Sequence, residues 1–142
     1  MKHKVAVVYW SGTGNTAAMA DAVSAGAKAA GAEVAVLKPR EFSAANLEEY
    51  DAVAFGCPSM GAEVLEIFEF EPMFAGCEHA LEGKNVALFG SYGWGNGEWM
   101  RDWDGRCREK GAVMAHDYVI CSGRPNAGEL EQCRALGAAL AA

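Results

Sequence analysis

VVYWSGTGNTAAMA, Val7 to Ala20, passes from an apolar run through two glycines into an alanine-rich segment of helical character. Between the two lie Ser11, Gly12, Thr13, Gly14, Asn15 and Thr16, and no Lys or Arg occurs between Lys4 and Lys28. A helix amino terminus presents unpaired N–H groups and a partial positive charge, and glycines let a phosphate approach the backbone. The hydroxyls of Ser11, Thr13 and Thr16 and the amide of Asn15 add neutral donors. The segment therefore suits an anion held by directed hydrogen bonds and not by charge pairing. Taken alone, it equally suits a plain helix cap with turn glycines.

Two other phosphate motifs overlap this stretch. GTGNTA, Gly12 to Ala17, satisfies the dinucleotide pattern G-x-G-x-x-A, which wants an acidic residue near the end of the second strand and a six-stranded sheet. Lys38-Pro39-Arg40 stands at that point instead. No Lys-Ser/Thr closes the loop, so the Walker pattern fails as well. Both rank below a mononucleotide site.

Outward from this loop, five apolar runs recur: Lys4–Trp10, Glu33–Lys38, Asp51–Cys57, Lys84–Gly90 and Val113–Cys121. Helical patterns separate them, which predicts an α/β fold around a parallel sheet. The first helix, from about Thr16, places Met19, Val23, Ala27 and Ala30 on one stripe. A short helix is expected near Ser43–Glu49. The third is expected to open at Pro72. The fourth carries Trp99, Trp103 and Cys107 four apart, as core residues, and stops at Gly111. The last begins at Asn126 with Glu129 three residues on, a capping-box pattern, and buries Leu130, Cys133, Leu136 and Leu140.

The first, third and fourth runs are apolar on both faces, as strands covered by helices on each side must be. The second is short and charged at its ends, and the fifth carries His116 and Asp117, so those two belong at the edges. With right-handed crossovers this predicts a five-stranded parallel sheet in the order 2-1-3-4-5, a doubly wound three-layer sandwich. The chain reverses direction between strands 1 and 3, and a crevice opens at their carboxyl ends.

Two further loops reach that crevice. In CPSMGAE, Cys57 to Glu63, Pro58 turns the chain out of strand 3, and Gly61 permits dihedrals that other residues avoid. Met60 can lie against an aromatic ring through its polarizable sulfur. By itself this is an ordinary strand-to-helix turn. In GSYGWGNGEW, Gly90 to Trp99, four glycines surround Tyr92 and Trp94. Trp94 either stacks on a flat ligand or packs half-buried beside the fourth helix. Together the loops offer a phosphate cradle, a methionine–glycine turn and an indole, which suit a flat aromatic ring carrying one phosphate.

At 142 residues, 51% of them hydrophobic, the chain is sized for one compact domain spanning 1–142. No apolar run reaches membrane-spanning length, and Met1-Lys2-His3-Lys4 leads into a short run unlike a secretory signal. Cys57, Cys77, Cys107, Cys121 and Cys133 include no C-x-x-C, so a zinc site, an iron–sulfur cluster and a thioredoxin-type pair are unsupported. Reduced structural thiols in the cytoplasm are the expectation. The net charge of −7 argues against nucleic acid and permits a basic protein partner, although acidity also serves solubility alone.

These motifs resemble those of flavodoxins, specifically the short-chain kind. SGTGNT matches the family's Ser/Thr-x-Thr-Gly-x-Thr phosphate loop, while GCPSMG and LFGSYGWGNGEW resemble its two flavin-binding loops. The resemblance covers nearly the whole chain. It implies the flavodoxin-like fold, one non-covalently bound FMN, and a low-potential electron carrier shuttling between semiquinone and hydroquinone. Ser11 to Thr16 would bind the phosphate, with Ser59 and Ser91 as helpers. Met60 would cover the inner flavin face and Trp94 the outer one. Gly61 would sit opposite flavin N5, with the Met60–Gly61 peptide turning to offer its carbonyl there, and Glu63 would accept from N3–H. Pro58, Ala62, Tyr92, Gly93 and Gly95 complete the expected cofactor-binding set, while contacts from CSGRPN, Cys121 to Asn126, stay open.

No general base, nucleophile or metal cluster stands out, so the expectation is an electron-transfer protein and not an enzyme. The expected form is a monomer serving redox partners, both reductases and acceptor oxidoreductases. Glu63, Glu66, Glu69, Glu71, Glu98 and Asp102 either form an acidic docking rim or a solvated face. The rivals are an FMN-dependent NAD(P)H–quinone reductase on the same fold and a non-redox module binding an anion or nucleotide.

Overall fold

A computed structural model describes residues 3–142, and the opening Met1-Lys2 lies outside them. Five α-helices and six strands follow in chain order among the described residues, besides two short 3-10 turns. They are β1 (Lys4–Tyr9), α1 (Asn15–Ala29), β2 (Glu33–Leu37), α2 (Ala44–Leu47), β3 (Ala52–Gly56), α3 (Phe70–Cys77), β4 (Asn85–Tyr92), α4 (Glu98–Glu109), β5 (Val113–Met114), β6 (Val119–Ser122) and α5 (Ala127–Leu140). The strands pair in parallel in the order β2-β1-β3-β4-β5, as the apolar and charged runs predict, with β6 also beside β4. Registers such as Val7 against Ala54 and Phe55 against Leu88 keep the central strands level.

Alternation along these strands divides the core in two. Val5, Val7, Ala54, Ala87 and Phe89 face α1 and α5, where Met19, Val23, Cys133 and Leu136 are buried. Ala6, Val8, Val53, Phe55 and Leu88 face α3 and α4, whose Phe70, Phe74, Trp99 and Trp103 pack against them. Edge-to-face pairs fill this second layer, with Phe55 and Phe74 centroids 5.2 Å apart and Phe70 and Trp103 5.3 Å apart. Trp99 and Trp103 are thus core residues. α1 and α5 touch backbone to backbone: a Cβ at Gly26 would overlap the Arg134 carbonyl, and one at Gly137 the Val23 carbonyl.

Asn126 caps α5 reciprocally, its side chain accepting from Glu129 N–H at 2.8 Å while Glu129 accepts from Asn126 N–H at 2.9 Å. Four details differ from the periodicity. The fifth run is broken into β5 and β6, the ladder to β4 being interrupted between Met114 and Val119, where His116 Nδ1 lies 2.7 Å from the Asp117 carbonyl. β4 runs on to Tyr92, so Ser91 and Tyr92 belong to the strand and not to the loop after it. α3 begins at Phe70, with Pro72 inside its first turn, where a missing N–H is harmless. Ala30 is exposed as the residue ending α1.

Candidate functional site

Because the strands are parallel, the loops after β1, β3, β4 and β6 gather at one end of the sheet. They enclose a cleft of about 210 Å³, lined by Trp10, Gly12, Thr13, Asn15, Pro58, Ser59, Met60, Ser91, Tyr92, Gly93 and Gly123. A larger hollow of about 500 Å³ lies nearby, also bounded by Trp10, Gly12 and Thr13, with Lys38 and Glu69 on its wall. Only the smaller cleft is reached by the loops after β1, β3, β4 and β6 together.

The first loop is a ring of donors. Gly14 precedes α1 in a left-handed conformation with φ +98°. Ser11 Oγ accepts the N–H groups of Gly14 and Ala17, each at 3.2 Å. Among the described residues, the N–H groups of Gly12, Thr13, Asn15 and Thr16 find no acceptor. Four unpaired amides at the positive end of a helix, with no cation nearby in sequence, form an anion cradle made from backbone. Space is tight here, since a Cβ at Gly12 would stand 3.0 Å from the Trp10 ring. Thr16 is turned inward instead: its hydroxyl lies 3.0 Å from Ser91 Oγ and accepts Ser91 N–H at 3.3 Å. That pair locks α1 to the end of β4.

The second loop is a short hairpin. Met60 and Val64 exchange backbone hydrogen bonds at 2.8 and 3.0 Å, which leaves Gly61, Ala62 and Glu63 as its tip. Gly61 sits at φ +50° and Glu63 at φ +56°, the one positive φ among the described non-glycine residues. The Met60 carbonyl is the acceptor of Val64 N–H, so a turned Met60–Gly61 peptide must release that bond. Ser59 N–H donates to the Ser91 carbonyl at 3.0 Å and ties the hairpin to β4.

The third loop carries Trp94, 62% exposed, directly after the cleft-lining Gly93. Gly95 follows at φ +89°, against the Glu63 carboxylate. Gly123 N–H donates to the Tyr92 carbonyl at 2.8 Å and brings the segment after β6 into the wall. Met60 is also exposed at the edge of the cleft.

Nine of the seventeen residues expected to bind the cofactor line the cleft: Gly12, Thr13, Asn15, Pro58, Ser59, Met60, Ser91, Tyr92 and Gly93. Ser11 and Gly14 line the adjacent larger hollow, Thr16 turns its hydroxyl inward to Ser91, and Gly61, Ala62, Glu63, Trp94 and Gly95 belong to the loops around the cleft. Trp10 and Gly123 line the cleft in addition to the expected set. Trp10 directly precedes Ser11, a cue that its apolar character hid by assigning it to the strand. Gly123 is placed by β6 alone.

The acidic residues do not form one rim. Glu66 is buried, and its carboxylate accepts the N–H groups of Phe68, Glu69 and Phe70 at 2.8, 2.7 and 2.8 Å. Burial pushes its pKa up, but the three donors more than offset this and hold it below the ordinary value. Glu71 is engaged by Arg106 at 2.8 and 2.9 Å, beside a second Arg106 pair with Glu78. Both residues therefore leave the expected rim, because they anchor the start of α3. Glu63, Glu69, Glu98 and Asp102 remain at the surface or part-buried. Cys57 is buried, and burial pushes its thiol far above the ordinary value, so it is held protonated.

A flavodoxin family profile matches residues 7–137. The flavodoxin of Megasphaera elsdenii is 44% identical over 137 residues, covering 96% of this chain and 98% of that protein. The flavodoxin of Clostridium beijerinckii is 40% identical over 135 residues, covering 95% and 97%. A solution structure of two-electron reduced M. elsdenii flavodoxin superposes with a TM-score of 0.89 at 43% identity, over 96% of this chain and 98% of that one. With the sheet order, the donor loop and near-complete coverage in agreement, this chain belongs to the flavodoxin family.

Proposed function

We propose that this chain is a one-domain, low-potential, one-electron carrier that holds FMN non-covalently and passes electrons between redox proteins. The observation that carries the reading is the set of unpaired N–H groups of Gly12, Thr13, Asn15 and Thr16 at the start of α1, beside a cleft edged by Met60, with Trp94 exposed next to the lining residue Gly93. A phosphate monoester matches such a donor set, and a flat ring matches the aromatic and thioether rim. FMN, when bound, supplies the one-electron chemistry.

The residues around it bind, orient and tune. Thr13, Asn15 and Ser59 add side-chain donors to the backbone cradle. Trp94 would cover one face of the ring and Met60 the other. Glu63 uses one carboxylate oxygen on Glu98 N–H at 3.1 Å and has the other free to accept a ring N–H. Adding negative charge inside an apolar cleft of a protein of net charge −7 is unfavourable, which keeps the working potential low. Glu63, Glu69, Glu98 and Asp102 steer basic partners toward the cleft, and the working form is a monomer. Five unpaired, buried thiols fit a reducing cytoplasm. Among the described residues no helix is long and apolar enough to cross a membrane.

The test is titration of the ligand-free protein with FMN, followed by spectra during stepwise reduction. The expected result is saturation at one FMN per chain and two separated one-electron steps. A protein that leaves FMN fluorescence unchanged would overturn the reading.

A further inference from the structure

The segment between the hairpin and α3 turns apolar side chains outward. Phe68 is 83% exposed, Ile67 59% and Val64 47%, while Leu65 and Phe70 beside them are buried. Single exposed apolar residues are ordinary, but three within five positions, bonded through Val64 to Met60 at the cleft edge, form a patch.

This exposure is not slack. The Glu66 carboxylate holds the N–H groups of Phe68, Glu69 and Phe70, and its backbone carbonyl accepts Glu71 N–H at 2.8 Å. Glu66 N–H donates to Cys57 Sγ at 3.4 Å, and Glu69 Oε2 accepts the Trp10 indole N–H at 3.0 Å. The turn that carries Ile67 and Phe68 is thus fixed from beneath and from the side. A rigid aromatic projection loses little freedom on association, which is the property of an interface anchor.

We propose that Val64, Ile67 and Phe68 are the apolar contact through which this chain docks its redox partner, a protein whose matching face is an apolar recess ringed by Lys and Arg. The charge distribution selects that occupant. No Lys or Arg occurs between Arg40 and Lys84, and the patch is flanked by the surface carboxylates of Glu63 and Glu69, Glu71 being taken up by Arg106. Two copies of this face would bring their carboxylates together, and an anionic lipid surface would be repelled likewise. The inference rests on the electron-carrier reading and deepens it: acidic residues set the encounter rate, and the apolar contact sets how long the complex lasts.

The test compares wild type with Phe68→Ser and Ile67→Ser, each loaded with FMN and chemically reduced. The acceptor is a basic c-type cytochrome, whose haem edge opens on an apolar patch ringed by lysines. One electron passes from the carrier to ferric haem, leaving ferrous haem, and the rate is followed against cytochrome concentration at high salt. Hexacyanoferrate(III), too small to need docking, is the control. Truncating an interface anchor is expected to raise the half-saturating cytochrome concentration about tenfold in Phe68→Ser, and less in Ile67→Ser. FMN affinity and the hexacyanoferrate rate are expected to stay at wild-type values.

Unchanged half-saturation with intact FMN binding would overturn the docking inference alone. Loss of FMN affinity in Phe68→Ser would place that residue in the cofactor site and overturn it too. Sedimentation showing a wild-type dimer that Phe68→Ser dissociates would make a second copy the occupant, against the proposal. Wild-type protein that takes up no FMN would fail the electron-carrier reading itself and this inference with it.

Discussion

Glu63 Oε1 accepts the backbone N–H of Glu98 at 3.1 Å, pinning the hairpin after β3 to the first residue of α4. Glu63 does this from a left-handed backbone at φ +56°, a conformation that costs a non-glycine residue roughly 1–2 kcal/mol. Gly95 makes the contact possible, since a Cβ there would stand 2.5 Å from the Glu63 carboxyl carbon. Gly95→Ala is therefore expected to displace that carboxylate, lower stability by about 2 kcal/mol and weaken FMN binding. Urea unfolding and FMN titration check it, and wild-type values for both would separate Gly95 from the site.

Trp94 is expected to contribute by stacking. Trp94→Ala should weaken FMN about tenfold, because an exposed indole has no other packing to lose. It should also raise the second one-electron potential, by about 59 mV for each ~1.4 kcal/mol of disfavour removed from the added charge. Potentiometric titration reads the shift, and an unmoved potential with unmoved affinity removes Trp94 from the ring face.

Gly61 has open space where a Cβ would stand, so its requirement is conformational alone. At φ +50°, Gly61→Ala should cost about 1 kcal/mol in the fold. If the hairpin tip must turn to accept the ring N5–H, the first one-electron potential should fall by about 40 mV for a loss of that size. A first potential equal to wild type would show that the tip does not turn, in keeping with the Val64 bond to the Met60 carbonyl.

Glu66 gives the fold a pH dependence of definite sign. Its folded pKa lies below the ordinary 4.5, so the unfolded chain binds the proton more readily. The stabilisation is fully present above 4.5 and is lost as pH falls through the lower folded value. Glu66→Gln should flatten that acid limb, and Glu66→Ala, which strands three N–H donors, should cost roughly 3 kcal/mol at neutral pH. Unfolding free energies measured from pH 7 to pH 3 decide the matter; parallel curves for wild type and Glu66→Gln would exclude Glu66 as the source.

Gly26 and Gly137 let α1 and α5 meet at their backbones, and neither has space for a methyl group. Gly26→Ala is expected to lower stability by about 2 kcal/mol, even though alanine is the better helix former by about 1 kcal/mol. Gly105, in α4 with nothing near its would-be Cβ, is the control: Gly105→Ala should be neutral or stabilising. In thermal melts Gly26→Ala should fall below wild type while Gly105→Ala stays level or rises.

Much of this molecule is legible from one dimension because the relevant interactions are local or periodic. The apolar alternation of Val5 to Val8, the Asn126–Glu129 cap and the Gly12–Gly14 loop are properties of neighbours along the chain, and strand polarity alone placed β2 and the fifth run at the edges. Tertiary structure decided whatever depends on which distant groups meet. Glu66 and Glu71 look like surface acids until three amides and Arg106 claim them, since a carboxylate's burial depends on donors that only folding delivers. Thr16 turns its hydroxyl to Ser91, Gly123 enters the cleft wall, and Phe68 stays outside because its neighbour Glu66 holds the turn rigid. Periodicity reports a residue's direction relative to its own element, whereas partners across the sheet fix its surroundings.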